Sequence, residues 1–306
     1  MKPRSPHLFL GLAFVLAALS LPAAPLRVLY FTKSSGFEHS VIKWADGQPS
    51  YSEKVLTALG AKHDIEFTFS KDGSLFTADY LAQFKVLLFY TSGDLTSVGT
   101  DGHPGITVTG LAALFDYVAG GGGFVGLHSA GDTFHSQERG GGNNPRRLQR
   151  YRNYGVAADP YCQMLGGEFI RHGPQQVAKA TVTDQKFPGF GELGAEINVN
   201  EEWYTLKDFA ANDHVLLVMQ TAGMQGGDYA RPPYPLAWVR PHGKGRVAYH
   251  AMGHRDDVWD SAAYQSMLAG MLRWAAGKAE ADVTPNLNQV APGHATLQAP
   301  PAEVKQ

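Results

Sequence analysis

The chain has almost no cysteine. Cys162 is the one thiol in 306 residues, so no internal disulfide can form, and no second Cys stands near it to build a zinc knuckle. An excess of charge of one sign is missing too. Lys and Arg number 26 against 28 Asp and Glu, a net charge of −2, which gives no support to binding nucleic acid or an anionic membrane surface. No repeat of useful length occurs, and no apolar run is long enough for a comfortable membrane span. The run Leu8 to Leu19 follows Lys2 and Arg4 and precedes Ser20-Leu21-Pro22-Ala23-Ala24-Pro25. A basic start, a short apolar stretch and small residues form the pattern of a secretory signal. Residues 1–24 are therefore set aside as a signal peptide, and the mature protein is expected to be periplasmic or secreted, with an uncleaved anchor as the other reading. With one Cys it does not rely on disulfides there.

Glycine is abundant instead, at 35 residues. Gly120 to Gly123 feed Phe124-Val125-Gly126-Leu127, and the run ends in His128-Ser129-Ala130-Gly131-Asp132. An all-apolar run ending in polar residues is the pattern of a buried parallel strand with its chemistry at the carboxyl end. Gly126-Leu127-His128-Ser129-Ala130 also has the outline of a nucleophile elbow, with small residues around a projecting centre. Its central residue is His128, neither Ser nor Cys. A Gly-rich turn with a hydrogen-bonded histidine fits the same letters.

The remaining chain reads as alternating strands and helices. Arg27 to Thr32, Ile65 to Phe69, Lys85 to Tyr90 and Phe124 to His128 are strands. Tyr51 to Leu59, stopped by Gly60, Phe76 to Phe84 and Thr109 to Val118 are helices. This alternation predicts a parallel sheet with right-handed crossovers. Residues 132–158 lack a pattern and read as a long loop. Its Arg146, Arg147, Arg150 and Arg152 are either an anion site or a solvated basic face. A short helix Pro160 to Leu165 follows, then strands Val177 to Val182, Ile197 to Tyr204 and Val215 to Met219, and a hairpin of Leu236 to Arg240 with Arg246 to His250. Ala262 to Ala276 is the last helix expected, and 278–306, with Pro285, Pro292, Pro300 and Pro301, a disordered tail. One domain, 25–277, results.

Five blocks in order resemble the ThuA-like (trehalose-utilisation) family: Gly36-Phe37-Glu38-His39-Ser40; Gly126-Leu127-His128-Ser129-Ala130; Gly166-Gly167-Glu168-Phe169 with His172; Glu201-Glu202-Trp203-Tyr204; and Pro235-Leu236-Ala237-Trp238 through Gly243-Lys244-Gly245-Arg246-Val247 to Gly253-His254. The likeness covers about residues 26–276. It implies an α/β fold of the class I glutamine amidotransferase type: a flavodoxin-like parallel sheet core with helices on both faces, plus an added β-hairpin. It argues against thiol-based amide hydrolysis, since the elbow holds His128 and Cys162 lies elsewhere. It also implies work on sugars, in particular 3-keto derivatives of glucosides.

Ionisable residues recur at the predicted loop ends. His128, His254, Glu202 and Asp132 are the candidate catalytic groups, with Glu201 the rival of Glu202 because neighbours in a strand face opposite ways. His39, Phe37, Trp203 and Tyr204 are candidate sugar contacts, although aromatics on strands also suit a core. His39, His128 and His172 are candidate ligands for Zn²⁺ or a similar divalent ion. Two chemistries stay open, metal-assisted attack on a carbonyl sugar and metal-free histidine acid–base catalysis. A non-catalytic sugar-binding module is the alternative. The expected partner is a small sugar, with no nucleic acid and a possible homo-oligomer.

Overall fold

The computed structural model describes residues 1, 24–136 and 148–303. The signal segment, Gly140 to Asn144, Arg146 and Arg147 therefore lie outside the described residues. Eleven strands and seven α-helices follow one another among those described. In chain order they are β1 (Leu26–Phe31), α1 (Tyr51–His63), β2 (Ile65–Ser70), α2 (Ala78–Leu81), β3 (Val86–Phe89), α3 (Val108–Ala119), β4 (Gly123–Leu127) and α4 (Pro160–Leu165). Next come β5 (Glu168–His172), β6 (Gln176–Val182), β7 (Glu196–Glu201), β8 (Tyr204–Lys207), β9 (His214–Gln220), β10 (Tyr234–His242) and β11 (Gly245–His250). The chain continues through α5 (Asp256–Asp260), α6 (Ala262–Ala275) and α7 (Leu287–Val290).

The main sheet runs β2-β1-β3-β4-β11-β10-β9-β6-β7. Its first five strands are parallel, in the order of a flavodoxin-like sheet. Val28, Leu29, Tyr30 and Phe31 are all fully buried, as a strand covered on both faces requires. Tyr30 points to α1, where its hydroxyl donates to Ser52 Oγ at 3.0 Å. Phe31, one residue on, points the other way and packs on Phe76 with ring centres 4.6 Å apart. Helices thus cover both faces, as expected. The expected hairpin is present, with Trp238 opposite Tyr249 and Arg240 opposite Val247. The addition is larger than a hairpin, because β10 goes on to pair with β9, and β9 with β6 and β6 with β7, all antiparallel. A second small sheet joins β5 to β8.

Helix boundaries follow local chemistry. Ser50 and Glu53 form a reciprocal capping box at α1. Thr107 caps α3, Asp159 caps α4 and Ser261 caps α6 through side-chain oxygens. Gly60 does not stop α1, contrary to the sequence expectation; the helix ends at Asp64, in the left-handed conformation with φ 57°. Gly60 serves close packing instead, since a Cβ there would stand 2.4 Å from the Ile65 carbonyl oxygen.

Two further expectations are corrected. The strand expected over Ile197 to Tyr204 is broken after Glu201, and Tyr204 opens β8 in the other sheet. The indole of Trp203 fixes the break by donating to the Gln176 carbonyl oxygen at 2.9 Å. The region after α6, expected to be a disordered tail, is packed. Leu287 and Ala291 are buried against Val215 and Val218 of β9. The Asn286 carboxamide accepts from Val215 N at 2.7 Å and donates to Val215 O at 3.1 Å, in the manner of a strand neighbour. Proline content suggested disorder, but one buried Leu and two satisfied β9 groups outweigh it. Deleting residues 283–306 should therefore cost about 3 kcal/mol or more, since it removes the buried Leu287, the Asn286 bonds to β9 and the backbone carbonyls that His214, Asn153 and Arg231 bind. A melting temperature unchanged by the deletion would show that the segment carries no stability.

Candidate functional site

His128 follows β4 at the first position of a 3₁₀ turn, His128–Asp132, with φ 42°. A non-glycine residue at positive φ is strained, and the surroundings must hold it there. Gly126 lets the corner close, because a Cβ at that position would lie 2.9 Å from Leu165 Cδ1. Tyr249 Oη donates to the His128 carbonyl oxygen at 2.7 Å. The elbow outline read from sequence is thus a real corner with a fully buried imidazole at its centre. His128 Nδ1 lies 2.8 Å from the Ala251 carbonyl oxygen. A carbonyl only accepts, so Nδ1 carries a proton, and in the neutral ring Nε2 is the lone-pair nitrogen. That Nε2 is buried and has no hydrogen-bond partner.

Glu202 is what the lone pair faces. Its Oε2 lies 3.5 Å from His128 Nε2, 3.9 Å from His39 Nε2 and 3.1 Å from His254 Nδ1. One ligand atom from each of these four residues falls within 4.8 Å of every other. The histidines follow β1, β4 and β11, at the carboxyl end of the parallel sheet where ligands collect. Glu202 arrives from the antiparallel side, at the break between β7 and β8. Burial opposes its ionisation, but the imidazoles of His128, His254 and His39 outweigh that and hold its carboxyl well below the usual carboxylate range. Burial pushes His39 down to about 4, against the pull of Glu202, so it is neutral at pH 7. His254 moves the other way; burial lowers it, but Glu202 more than compensates and its pKa is raised.

Glu201 plays a different part from Glu202. It is fully buried, and its Oε2 accepts from Gly253 N at 2.9 Å and His254 N at 3.1 Å. It fixes the loop that carries His254, and Glu202 faces the imidazoles. Tyr204 forms a wall, its ring 4.1 Å from that of His128 and its hydroxyl 3.4 Å from His39 Nε2. Phe37 is 68 % exposed and meets His39 edge-on at 5.0 Å, so it can contact a ligand from outside.

Three candidates stand elsewhere. Trp203 is wholly buried and hydrogen-bonded to the backbone, a core residue out of reach of a sugar. His172 sits at the rim, 43 % exposed, with Nδ1 3.4 Å from Glu202 Oε1, and His254 takes the place in the cluster that was expected for it. Asp132 belongs to a neighbouring buried network. Its Oδ1 lies 2.9 Å from His135 Nε2 and 3.3 Å from Arg150 Nη1, and His135 Nδ1 lies 3.1 Å from Glu168 Oε1. Lys207 Nζ closes the network 3.5 Å from Glu168. Arg150 is thereby buried and committed, so it is neither a solvated basic face nor free to clamp an anion. Cys162 is buried in α4, its thiol pushed well up by burial, away from the elbow. Gln175, which sequence reading passed over, places its Nε2 3.0 Å from His254 Nε2. No local signal marked it, because it lies in the short link between β5 and β6.

Buried neutral histidines make the fold acid-sensitive. His39 is held at about 4 and His250 at about 3, each by burial. An unfolded histidine titrates near about 6.5. Below that pH the unfolded chain takes up protons that the folded chain refuses, so this stability is present above about 6.5 and lost as pH falls toward 4. Urea midpoints of chelator-treated protein should drop steadily between about pH 7 and pH 4.5, and a flat profile would contradict the burial of these imidazoles.

The family model for trehalose utilisation, ThuA, matches residues 27–275. Among solved structures, a protein described as ThuA-like from Bacteroides uniformis superposes with TM-score 0.58 at 18 % identity, covering 84 % of this chain and 95 % of that one. A second one so described, from Parabacteroides merdae, gives TM-score 0.54 at 16 % identity over 92 % and 99 % of the two chains. A cytoplasmic protein of Salmonella typhimurium gives 0.53 at 15 % identity over 82 % and 99 %. At such identities the likeness is one of fold. No curated protein matches the sequence.

Proposed function

The chain belongs to the ThuA, or trehalose-utilisation, family, which gives it a carbohydrate-related role, and on that premise we propose that it is a metal-dependent enzyme acting on carbonyl-bearing sugars such as 3-keto-glucosides. The observation that carries this reading is the buried, unpartnered Nε2 of His128 facing the Glu202 carboxylate at 3.5 Å. In the neutral ring these are two acceptors face to face, an arrangement that a divalent cation between them satisfies. The spacing fits that need. Donors about 2.0–2.1 Å from a tetrahedral ion stand about 3.3 Å apart, and Glu202 Oε2 stands 3.5 Å from His128 Nε2 and 3.9 Å from His39 Nε2. Imidazole with carboxylate suits Zn²⁺ and related ions.

His39, His128 and Glu202 would hold the ion, two imidazoles and one carboxylate, with a position left open for substrate. Such an ion polarises a carbonyl and makes bound water a nucleophile near neutral pH. His254 is assigned the proton. Its Nε2 accepts from Gln175, so its Nδ1 carries hydrogen toward Glu202, and it is the most exposed of the three histidines in the cluster. A 3-keto group acidifies the neighbouring C–H, and an imidazole beside it is suited to removing that proton. Tyr204 walls the site and Phe37 offers a ring face at its edge. Export is part of the same proposal, from the basic and then apolar sequence before residue 25. No helix among the described residues is long and apolar enough to cross a membrane.

Elemental analysis of tag-free protein should find about one divalent ion per chain after reconstitution. His128→Ala should lose it, with affinity down by more than about tenfold. His254→Ala should keep the ion and lose turnover of a 3-keto-glucoside by about 10²-fold or more. Absence of stoichiometric metal after loading with Zn²⁺, Mn²⁺ or Ni²⁺ would remove the metal from the mechanism. Full turnover by His254→Ala would remove that residue. Acidification should weaken the site as well. Ligating imidazoles must be unprotonated, so zinc affinity should fall as pH drops toward about 4, where His39 takes up its proton, readable by competition with a chromogenic chelator.

A further inference from the structure

Beside His254 the surface opens into a cleft of about 390 Å³ bordered by Ser40, Gln175, His254, Arg255, Asp256 and Asp257. The volume lies at the low end of the range for small-ligand sites, about 300–1,000 Å³. We propose that this cleft is a subsite for one neutral, polyhydroxylated sugar unit of the substrate, next to the reacting carbonyl; this rests on the reading of the His–Glu cluster given above.

The selectivity follows from how the polar groups are committed. Arg255 would be the obvious clamp for a phosphate or carboxylate, but it is already engaged. Its Nε and Nη2 donate to the two Asp257 oxygens at 2.9 and 3.0 Å, and its Nη1 donates to Gln175 Oε1 at 2.8 Å. Asp256 adds a second carboxylate, so the cleft holds one guanidinium against two acids. An anionic ligand would meet two carboxylates with no free fork to receive it. Sugar hydroxyls meet acceptors in the two carboxylates and a donor–acceptor in the Ser40 hydroxyl. Asp257 is exposed and Arg255 half-buried, and such a surface pair contributes little to folding, so its removal tests recognition more than the fold. The same arginine orients Gln175 so that its amide nitrogen faces His254 Nε2 at 3.0 Å. A sugar seated in the cleft would therefore lie one hydrogen bond from the cluster.

The test is calorimetric titration of the zinc-reconstituted full chain with maltose, glucose 6-phosphate and glucuronate, with zinc measured on the same samples. Maltose should bind saturably, and at least about tenfold tighter than either anion. Arg255→Ala should weaken maltose by about fivefold or more with zinc content unchanged, and Asp256→Asn should narrow the gap between maltose and the anions. Anions that bind as tightly as maltose would overturn the proposal, and so would maltose binding equal to wild type in both variants. Arg255-dependent maltose binding by a chain that takes up no zinc would support the subsite and sink the metal reading. Zinc bound with no cleft-dependent sugar binding would sink the subsite and leave the metal reading standing.

Discussion

The contact between Glu202 and its ring of imidazoles constrains everything around it. A carboxylate that is only 12 % exposed carries a desolvation cost of several kcal/mol unless opposite charge or donors surround it. His254 brings Nδ1 to 3.1 Å of it and His128 brings Nε2 to 3.5 Å, with the His128 Nδ1–H already given to Ala251. The imidazoles outweigh the burial and keep the carboxyl ionised.

Holding that arrangement takes support from distant parts of the chain. Glu201 takes the two amides of the 253–254 loop and so sets His254. Trp203 pins the strand break that turns Glu202 into the crevice. Tyr249 and the crowding around Gly126 keep His128 at positive φ. The network of Asp132, His135, Arg150, Glu168 and Lys207 anchors the far end of the same turn. Adjacent residues thus divide the work. Glu201 and Trp203 are buried for structure, and Glu202 between them turns its carboxylate to the imidazoles.

The parallel half of the sheet was legible in the sequence because its central strands β3 and β4 are apolar throughout and end in polar loops. That same regularity flagged His39, His128 and His254 at loop ends. The strand over 197–204 was misjudged because periodicity reports burial and not continuity. Glu201, Trp203 and Tyr204 are all buried on either side of a break that only the pairing partners reveal. Aromatics on strands were ambiguous for a related reason. Trp203 and Tyr204 have the same local pattern, yet one hydrogen-bonds the backbone in the core and the other lies against His128.

The amino-acid sequence by itself determined the alternating strands and helices of the parallel core and the elbow around His128, since both rest on local patterns of side-chain size, polarity and spacing. Tertiary structure alone decided which carboxylate meets the imidazoles, that His254 and not His172 completes the set, that Asp132 belongs to another network, and that the proline-bearing segment after α6 packs on β9. Those outcomes depend on where loops end once β11 lies beside β4 and the antiparallel strands extend the sheet beyond β10. Residues 39, 128, 202 and 254 meet only because that strand order brings their loops to one crevice, and no short-range signal encodes a distance between them.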